Sequence, residues 1–216
     1  FTKNSTQKIL NVARVLYDSK MLKGVSLSMQ SLNQNTLSSI KRDNISLDVF
    51  HELQALYNME GIPTFTELIL GLPGETYESF VDGVDKLFEN GQHSQILIYN
   101  CTVMPNAELG DLDYQKNHGI QTVEIPIFTA HSTAPGPEDS TVEYESIIVG
   151  TNTMDVKHWR SSYNYAWAVQ CFHTLGLLQN VAIFLRYYSG IPYKNFYKSL
   201  IDYGTSRPGT LMGREI

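Results

Sequence analysis

Apolar positions recur at two different periods along this chain, and the switches between them predict its elements. In residues 4–21, Ile9, Val12, Ala13 and Leu16 fall at the three-and-four spacing of a helix with one buried face, with Ser5 or Thr6 as its cap. Gly24 ends the connection. Residues 25–31 then alternate strictly: Val25, Leu27 and Met29 point one way, while Ser26, Ser28 and Gln30 point the other, which is the period of a strand. Helical residues follow to about Glu60, closed by Gly61. Residues 63–70 read as a second strand, 77–90 as a helix with Gly91 just past its end, and 95–103 as a third strand. Strands alternating with helices in this way predict parallel βα units, at a spacing suited to a barrel.

After Pro105 the rhythm changes. Residues 109–119 are polar with turn residues, 120–128 suit a strand, 129–141 hold the Pro, Gly, Ser and Thr of a loop, and 142–151 alternate as a further strand. From 155 to 203 the pattern is helical, with Trp159, Tyr163, Trp167 and Cys171 stepping by four along one face. Gly190-Ile191-Pro192 breaks this run before a last helix over 193–203. We therefore expect a boundary near residue 108. It divides βα units over 1–108 from a mixed, mainly α-helical extension over 109–216.

Composition narrows the function classes. The 216 residues are 42% hydrophobic, too apolar for a disordered chain, and 16 Lys and Arg against 22 Asp and Glu give a net charge of −6. No Lys/Arg run exceeds two residues, so a nucleic-acid footprint is absent. No apolar stretch reaches the roughly 18–20 residues of a bilayer crossing. Two cysteines, Cys101 and Cys171, make neither a disulfide framework nor a four-thiolate metal site, which points to a reduced, cytoplasmic compartment. The six histidines show no metal spacing; His131, in the Ser/Pro-rich loop, reads as a solvated loop histidine, with a substrate-facing role as the alternative. The common hydrolase and nucleotide-binding motifs are missing. The start at Phe1, without Met, leads us to expect a piece of something longer.

Candidate chemistry lies on the strands. Strands of a parallel sheet are usually apolar on both sides, yet Ser26, Ser28 and Gln30 make one side of the first strand polar. Burying such groups without partners costs about 1–3 kcal/mol each. That side therefore faces either a ligand-filled lumen or the solvent, as the exposed face of an open antiparallel sheet. Glu67 sits inside an apolar strand, where a carboxylate needs a partner. Pro73-Gly74 suits a type II turn, with Glu75 at a helix start where the dipole favours an anion. Asn100 and Thr102, near the end of the third strand, are able to satisfy backbone groups, and Cys101 suits a small buried apolar position.

Two segments then stand together: Ser28-Met29-Gln30-Ser31 with Leu37 and Lys41-Arg42, and Glu67-Leu68-Ile69-Leu70-Gly71-Leu72-Pro73-Gly74-Glu75-Thr76. In this order they resemble the radical S-adenosylmethionine (radical SAM) superfamily. The nearest branch is that of methylthiotransferases, coproporphyrinogen dehydrogenases and cobalamin-binding enzymes. The resemblance covers roughly residues 5–108. It implies the second half of a partial (βα)6 barrel, and an oxidoreductase or methyltransferase that cleaves SAM reductively at a [4Fe–4S] cluster to start radical chemistry. It places Gln30 at the ribose hydroxyls of SAM, with Ser28 on the same lumen face, and Arg42 at the methionine carboxylate, where a guanidinium fork fits. It also places Glu67 at the ribose, and Ile69 and the backbone after the third strand, about Val103 to Pro105, at the adenine.

The superfamily's C-x3-C-x2-C loop is absent, and two distant cysteines do not supply three thiolates. The missing first half of the barrel is therefore an expected partner, along with a small-molecule or peptide substrate. The extension, with Tyr144, Trp159, Tyr163, Tyr165 and Trp167, is reminiscent of cobalamin-binding members, which brings a cobalamin-dependent methylation or ring rearrangement forward as the leading subtype. The alternatives are a non-catalytic scaffold domain of the same ancestry, or an unrelated βα enzyme using Glu67 as a general acid or base.

Overall fold

The computed structural model describes residues 7–127 and 143–216. The helix caps expected at Ser5 or Thr6, the loop around His131 and the end of the 120–128 strand lie outside the described residues.

Three strands, β1 (Val25–Ser26), β2 (Thr64–Leu70) and β3 (Gln95–Asn100), form a parallel sheet in the order β1-β2-β3. Val25 pairs with Thr64, and Phe65 pairs with Gln95. The first strand is shorter than its alternation predicts, since the ladder resumes only at an isolated bridge from Gln30 to Leu68. The alternation itself holds: Val25, Leu27 and Met29 are buried, and Ser26, Ser28 and Gln30 are half-buried.

The helices are α1 (Gln7–Asp18), α2 (Gln34–Ser39), α3 (Leu47–Met59), α4 (Tyr77–Glu89), α5 (Leu112–His118), α6 (Val156–Ala168), α7 (Gln179–Ser189), α8 (Tyr193–Thr205) and α9 (Leu211–Glu215). An antiparallel hairpin of β4 (Gln121–Pro126) and β5 (Tyr144–Gly150) joins the sheet at its carboxyl end. There β5 bonds to residues 101–103 beyond β3: Ile148 donates to the Cys101 carbonyl at 2.9 Å, and Val103 donates to the Ser146 carbonyl at 2.8 Å.

One apolar cluster spans the chain. The covered face of the sheet (Leu27, Met29, Leu68, Leu70) packs on α3 through Phe50 and Tyr57 and on α4 through Phe80 and Val84. The same cluster continues into Tyr165 and Val169 of the later helices and into Tyr193 and Tyr197 of α8. Each large side chain buried here contributes about 1.5–3 kcal/mol. Residues on both sides of position 108 thus share one core.

Four expectations shift. On α1 the packed side is Leu10, Ala13 and Tyr17, whereas Val12 is 54% exposed. The helical stretch to Glu60 is two helices: Lys41, at φ 51°, stops α2, and Ser46 restarts the chain by capping α3. The polar segment 109–119 carries a 3₁₀ turn (Glu108–Gly110) and then α5, capped by Asp111 and closed by Gly119. It buries none of its residues, so no apolar period announced it. Finally, of the stripe of Trp159, Tyr163 and Trp167 only Trp159 packs against the core, and the fully buried residues of α6 are Ser162, Tyr165, Ala166 and Ala168.

A π-helical segment, Val169–Thr174, continues α6 and lies along the free edge of β3. An edge strand leaves a row of unpaired backbone groups. Here Gln170 accepts from Ile98 N–H at 3.2 Å, while Thr174 accepts from Ile96 N–H at 3.4 Å and donates to the Ile96 carbonyl at 3.3 Å. Side chains stand in for a fourth strand. Acidic residues of α4 fix the helices beyond: Asp85 accepts from Lys194 N–H at 2.8 Å at the start of α8, where no local side chain caps the helix, and Asp82 pairs with the Lys194 ammonium at 2.7 Å. Glu89 is gripped by Arg186 of α7. Among the described residues no single helix is long and apolar enough to cross a membrane.

His173, in the π segment, is 1% exposed and stacks on Phe88 with ring centroids 3.9 Å apart. Its ring bonds to Tyr197 Oη at 2.7 Å and to His93 Nδ1 at 3.1 Å. Burial, with His93 second, pushes it down to about 3 from 6.5, and burial lowers His93 as well. The folded chain therefore binds fewer protons than the unfolded chain in this range. Its stability is full above about pH 6.5 and is lost as pH falls toward 3. Urea titrations from about pH 7 to about pH 4 are expected to show a steeper fall for the native chain than for His173→Gln; equal slopes would contradict this assignment.

Candidate functional site

The site begins where β1 ends. Ser31 N–H donates to the Met29 carbonyl at 2.7 Å, the hydrogen bond of a three-residue turn, and the residue between them, Gln30, has φ 56°. A non-glycine residue in this region is strained and persists only where its surroundings fix it. Four sets of contacts do so. The Glu67 carbonyl accepts from both Met29 N–H (3.3 Å) and Gln30 N–H (2.9 Å), and the Gln30 carbonyl accepts from Ile69 N–H at 2.8 Å. Asn44 Nδ2 donates to the Met29 and Ser31 carbonyls, each at 2.8 Å. The Ser31 hydroxyl donates to Glu75.

Glu75 explains the Gly71–Thr76 segment. It is 1% exposed, and its carboxylate accepts from the hydroxyls of Ser31 and Ser79. Rather than lying in the helix, it precedes Thr76, which caps α4 in a capping box with Ser79. Two glycines let this loop pack. A Cβ on Gly71, at φ 97°, would lie 2.9 Å from the Ile148 carbonyl oxygen, and one on Gly74, at φ 86°, would lie 3.1 Å from the Asn35 backbone. Asn33, the cap of α2, donates across to the Gly74 carbonyl and to Ser79 Oγ. The loop after β2, the turn after β1 and helix α2 are thus one bonded unit.

Arg42 follows α2 and is 5% exposed. Its Nη2 donates to the Ser28 carbonyl at 2.8 Å and its Nε to Asn44 Oδ1 at 2.9 Å. Burial lowers its pKa from the ordinary value, yet a guanidinium stays charged in a protein. Beside it a cleft of about 390 Å³ opens at the carboxyl ends of the strands. Gln30, Arg42 and Ile69 line it, with Ile40, Leu72 and Leu109 as apolar surface and Tyr99, Asn100 and Thr102 as polar surface. A buried cation, strand-end amides and an apolar floor suit a small ligand that carries a carboxylate and a flat ring.

Of the residues expected at a site, Gln30, Arg42 and Ile69 thus come together. Ser28 contributes its carbonyl to Arg42 rather than lining the cleft. Glu67 shares the half-open face of the sheet, but its Oε2 accepts from the Ser26 hydroxyl at 2.8 Å. Burial, and secondarily the Glu67 charge, raises the pKa of Tyr99. Val103 packs in the small cluster of Leu72, Cys101 and Ile148 beneath the cleft. Burial pushes the Cys101 thiol up to about 12, as fits an inert apolar position. Thr102 bonds to Glu145 of β5 at 3.0 Å rather than to the backbone. Asn44 carried no sequence signal: no period marks a residue whose partners lie 13 and 15 positions away. Among the described residues no three His, Cys, Asp or Glu side chains gather as a metal site.

No family model matches the chain. Two curated proteins align with 99% of it. The cobalamin-dependent radical SAM methyltransferase TokK of Streptomyces tokunonensis is 38% identical over 213 residues. The 2-(S-pantetheinyl)-carbapenam-3-carboxylate methyltransferase of Streptantibioticus cattleyicolor is 34% identical over 213 residues. In each case the alignment takes in 31% of the relative, so the chain spans about a third of the length of the curated relatives it matches. A solved structure of the radical SAM methyltransferase TsrM from Kitasatospora setae, with cobalamin and a [4Fe–4S] cluster bound, matches at TM-score 0.48 and 16% identity. That match covers 74% of this chain and 34% of TsrM. The chain is similar to radical SAM methyltransferases, as its two segments implied, and the likeness runs well past residue 108, where sequence motifs gave only a weak match.

Replacing Glu75 by Ala removes the charge-assisted bonds that the Ser31 and Ser79 hydroxyls donate to it, each worth about 1.5–3 kcal/mol. We expect a loss of about 3 kcal/mol in denaturant unfolding; a loss under about 1 kcal/mol would show that the carboxylate does not hold this unit together.

Proposed function

We propose that this chain is a segment of a cobalamin-dependent radical SAM methyltransferase and supplies one wall of its SAM pocket. The observation that carries this reading is the meeting of Gln30, Arg42 and Ile69 on one cleft at the strand ends. Alignment over 213 residues with two methyltransferases supports it. When bound, SAM with a [4Fe–4S] cluster supplies a carbon radical, and cobalamin supplies a methyl carrier.

The residues here fit SAM better than they fit the cluster. Arg42, on the wall of the cleft, is the cation that would meet the methionine carboxylate, in a setting dry enough to strengthen a charge-assisted bond. The Gln30 amide takes the ribose hydroxyls. Ile69, with Leu72 and Leu109 nearby, covers the adenine and excludes water. Glu67, held by Ser26, adds an acceptor on the same face. Two cysteines 70 positions apart, one of them buried with a raised pKa, do not fit a cluster, so its ligands belong to another part of the whole protein. The sheet's half-open face is then the inner wall of a partial barrel that the rest of the protein completes. By analogy with the carbapenam-carboxylate relative, the substrate class is a small carboxylate carrying a thioether arm.

In the whole protein, after iron–sulfur reconstitution, Arg42→Ala is expected to weaken SAM at least about tenfold in calorimetry. Unchanged affinity overturns the carboxylate assignment, and a whole protein that stays colourless after reconstitution favours a scaffold role over an enzyme.

A further inference from the structure

Asn44 touches both halves of the cleft at once, though it does not line it. Its Nδ2 donates to the Met29 and Ser31 carbonyls at 2.8 Å each, and its Oδ1 accepts from Arg42 Nε at 2.9 Å. The two carbonyls flank Gln30, whose φ of 56° is uncommon for a side-chain-bearing residue. A primary amide has two donors on one nitrogen and an acceptor one carbon away, and no shorter side chain offers that set. One end of Asn44 therefore holds the strained turn that presents Gln30. The other end orients the plane of the Arg42 guanidinium, whose Nη2 is already committed to the Ser28 carbonyl.

We propose that Asn44 is a positioning residue that fixes the spacing between the nucleoside-binding and carboxylate-binding groups of the pocket. This rests on reading the cleft as a SAM site. Arg42 serves only the amino-acid end of such a ligand and Gln30 only the nucleoside end, whereas Asn44 governs both. Its loss should weaken ligands that carry either end, and its two functions should separate by substitution. Asn44→Ala removes both. Asn44→Asp keeps an acceptor for Arg42 but has no donors for the carbonyls around Gln30.

The test measures dissociation constants in the whole protein for SAM and for 5′-methylthioadenosine, which lacks the carboxylate, beside a thermal melt of each variant. Arg42→Ala is expected to weaken SAM and leave 5′-methylthioadenosine within about twofold, whereas Asn44→Ala weakens 5′-methylthioadenosine by about tenfold and SAM, which loses both ends, by more than that. Asn44→Asp is expected to weaken 5′-methylthioadenosine as much as Ala does and SAM less than Ala does. A simple loss of folding would shift both ligands equally in both variants, so that split separates positioning from bulk stability. Affinities for both ligands equal to wild type in Asn44→Ala, or an Asp variant indistinguishable from Ala, overturn the proposal; should the Ala variant fail to fold, the Asp variant decides alone, a weakening of 5′-methylthioadenosine by about tenfold at an unchanged melting temperature supporting the proposal and wild-type affinity overturning it. Wild-type protein that binds neither ligand would instead remove the SAM reading on which this rests.

Discussion

The constraint on which this structure depends is the strained turn at Met29-Gln30-Ser31. A left-handed Gln30 is unfavourable alone, so each surrounding segment supplies a bond that holds it: the Glu67 carbonyl from β2, the Asn44 amide from the turn before α3, and Glu75 through the Ser31 hydroxyl. These bonds order a whole neighbourhood. Arg42 is anchored to Ser28 and Asn44, α2 is tied by Asn33 to the loop after β2, and that loop needs Gly71 and Gly74 to approach its neighbours. The cleft is the space this unit encloses.

A second requirement comes from the sheet's open edge. Three parallel strands leave β3 with unpaired backbone groups, and the chain satisfies them in two ways along its length. Toward the carboxyl end, β5 adds as an antiparallel strand to residues 101–103; over Ile96 and Ile98, the π segment presents Gln170 and Thr174. The later helices are therefore structural members of the same unit. Their aromatic residues Tyr165, Tyr193 and Tyr197 fill the core under the strands, and Asp82, Asp85 and Glu89 on α4 receive the cations and helix start above it. An extension that serves the sheet this directly is expected to align with relatives over its full length, and it does.

The division of labour also follows. The chain brings an amide, a guanidinium and an apolar side chain to one cleft, its two cysteines stand 70 positions apart, and it spans about a third of the length of its relatives. A pocket that is half wall and half opening is what such a segment would present.

Much of the architecture was legible in the sequence because burial imposes a period. Val25, Leu27 and Met29 against Ser26, Ser28 and Gln30 marked the two faces of β1 correctly, and β2, β3, α4 and the hairpin strands stood near their predicted bounds. What escaped notice carries no period: α5 buries nothing, Lys41 breaks a helix by backbone conformation alone, and the π segment differs from an α-helix by its bonding. For the site, local chemistry marked only the polar side of the first strand and Glu67, and it was the family resemblance that named Arg42 and Ile69 beside Gln30. Only the tertiary structure decided that they meet, that Ser28 and Val103 serve the scaffold, and that Asn44 joins the two sides. Hydrogen bonds between segments distant in sequence are set by three-dimensional approach, which a linear pattern of polar and apolar positions does not encode.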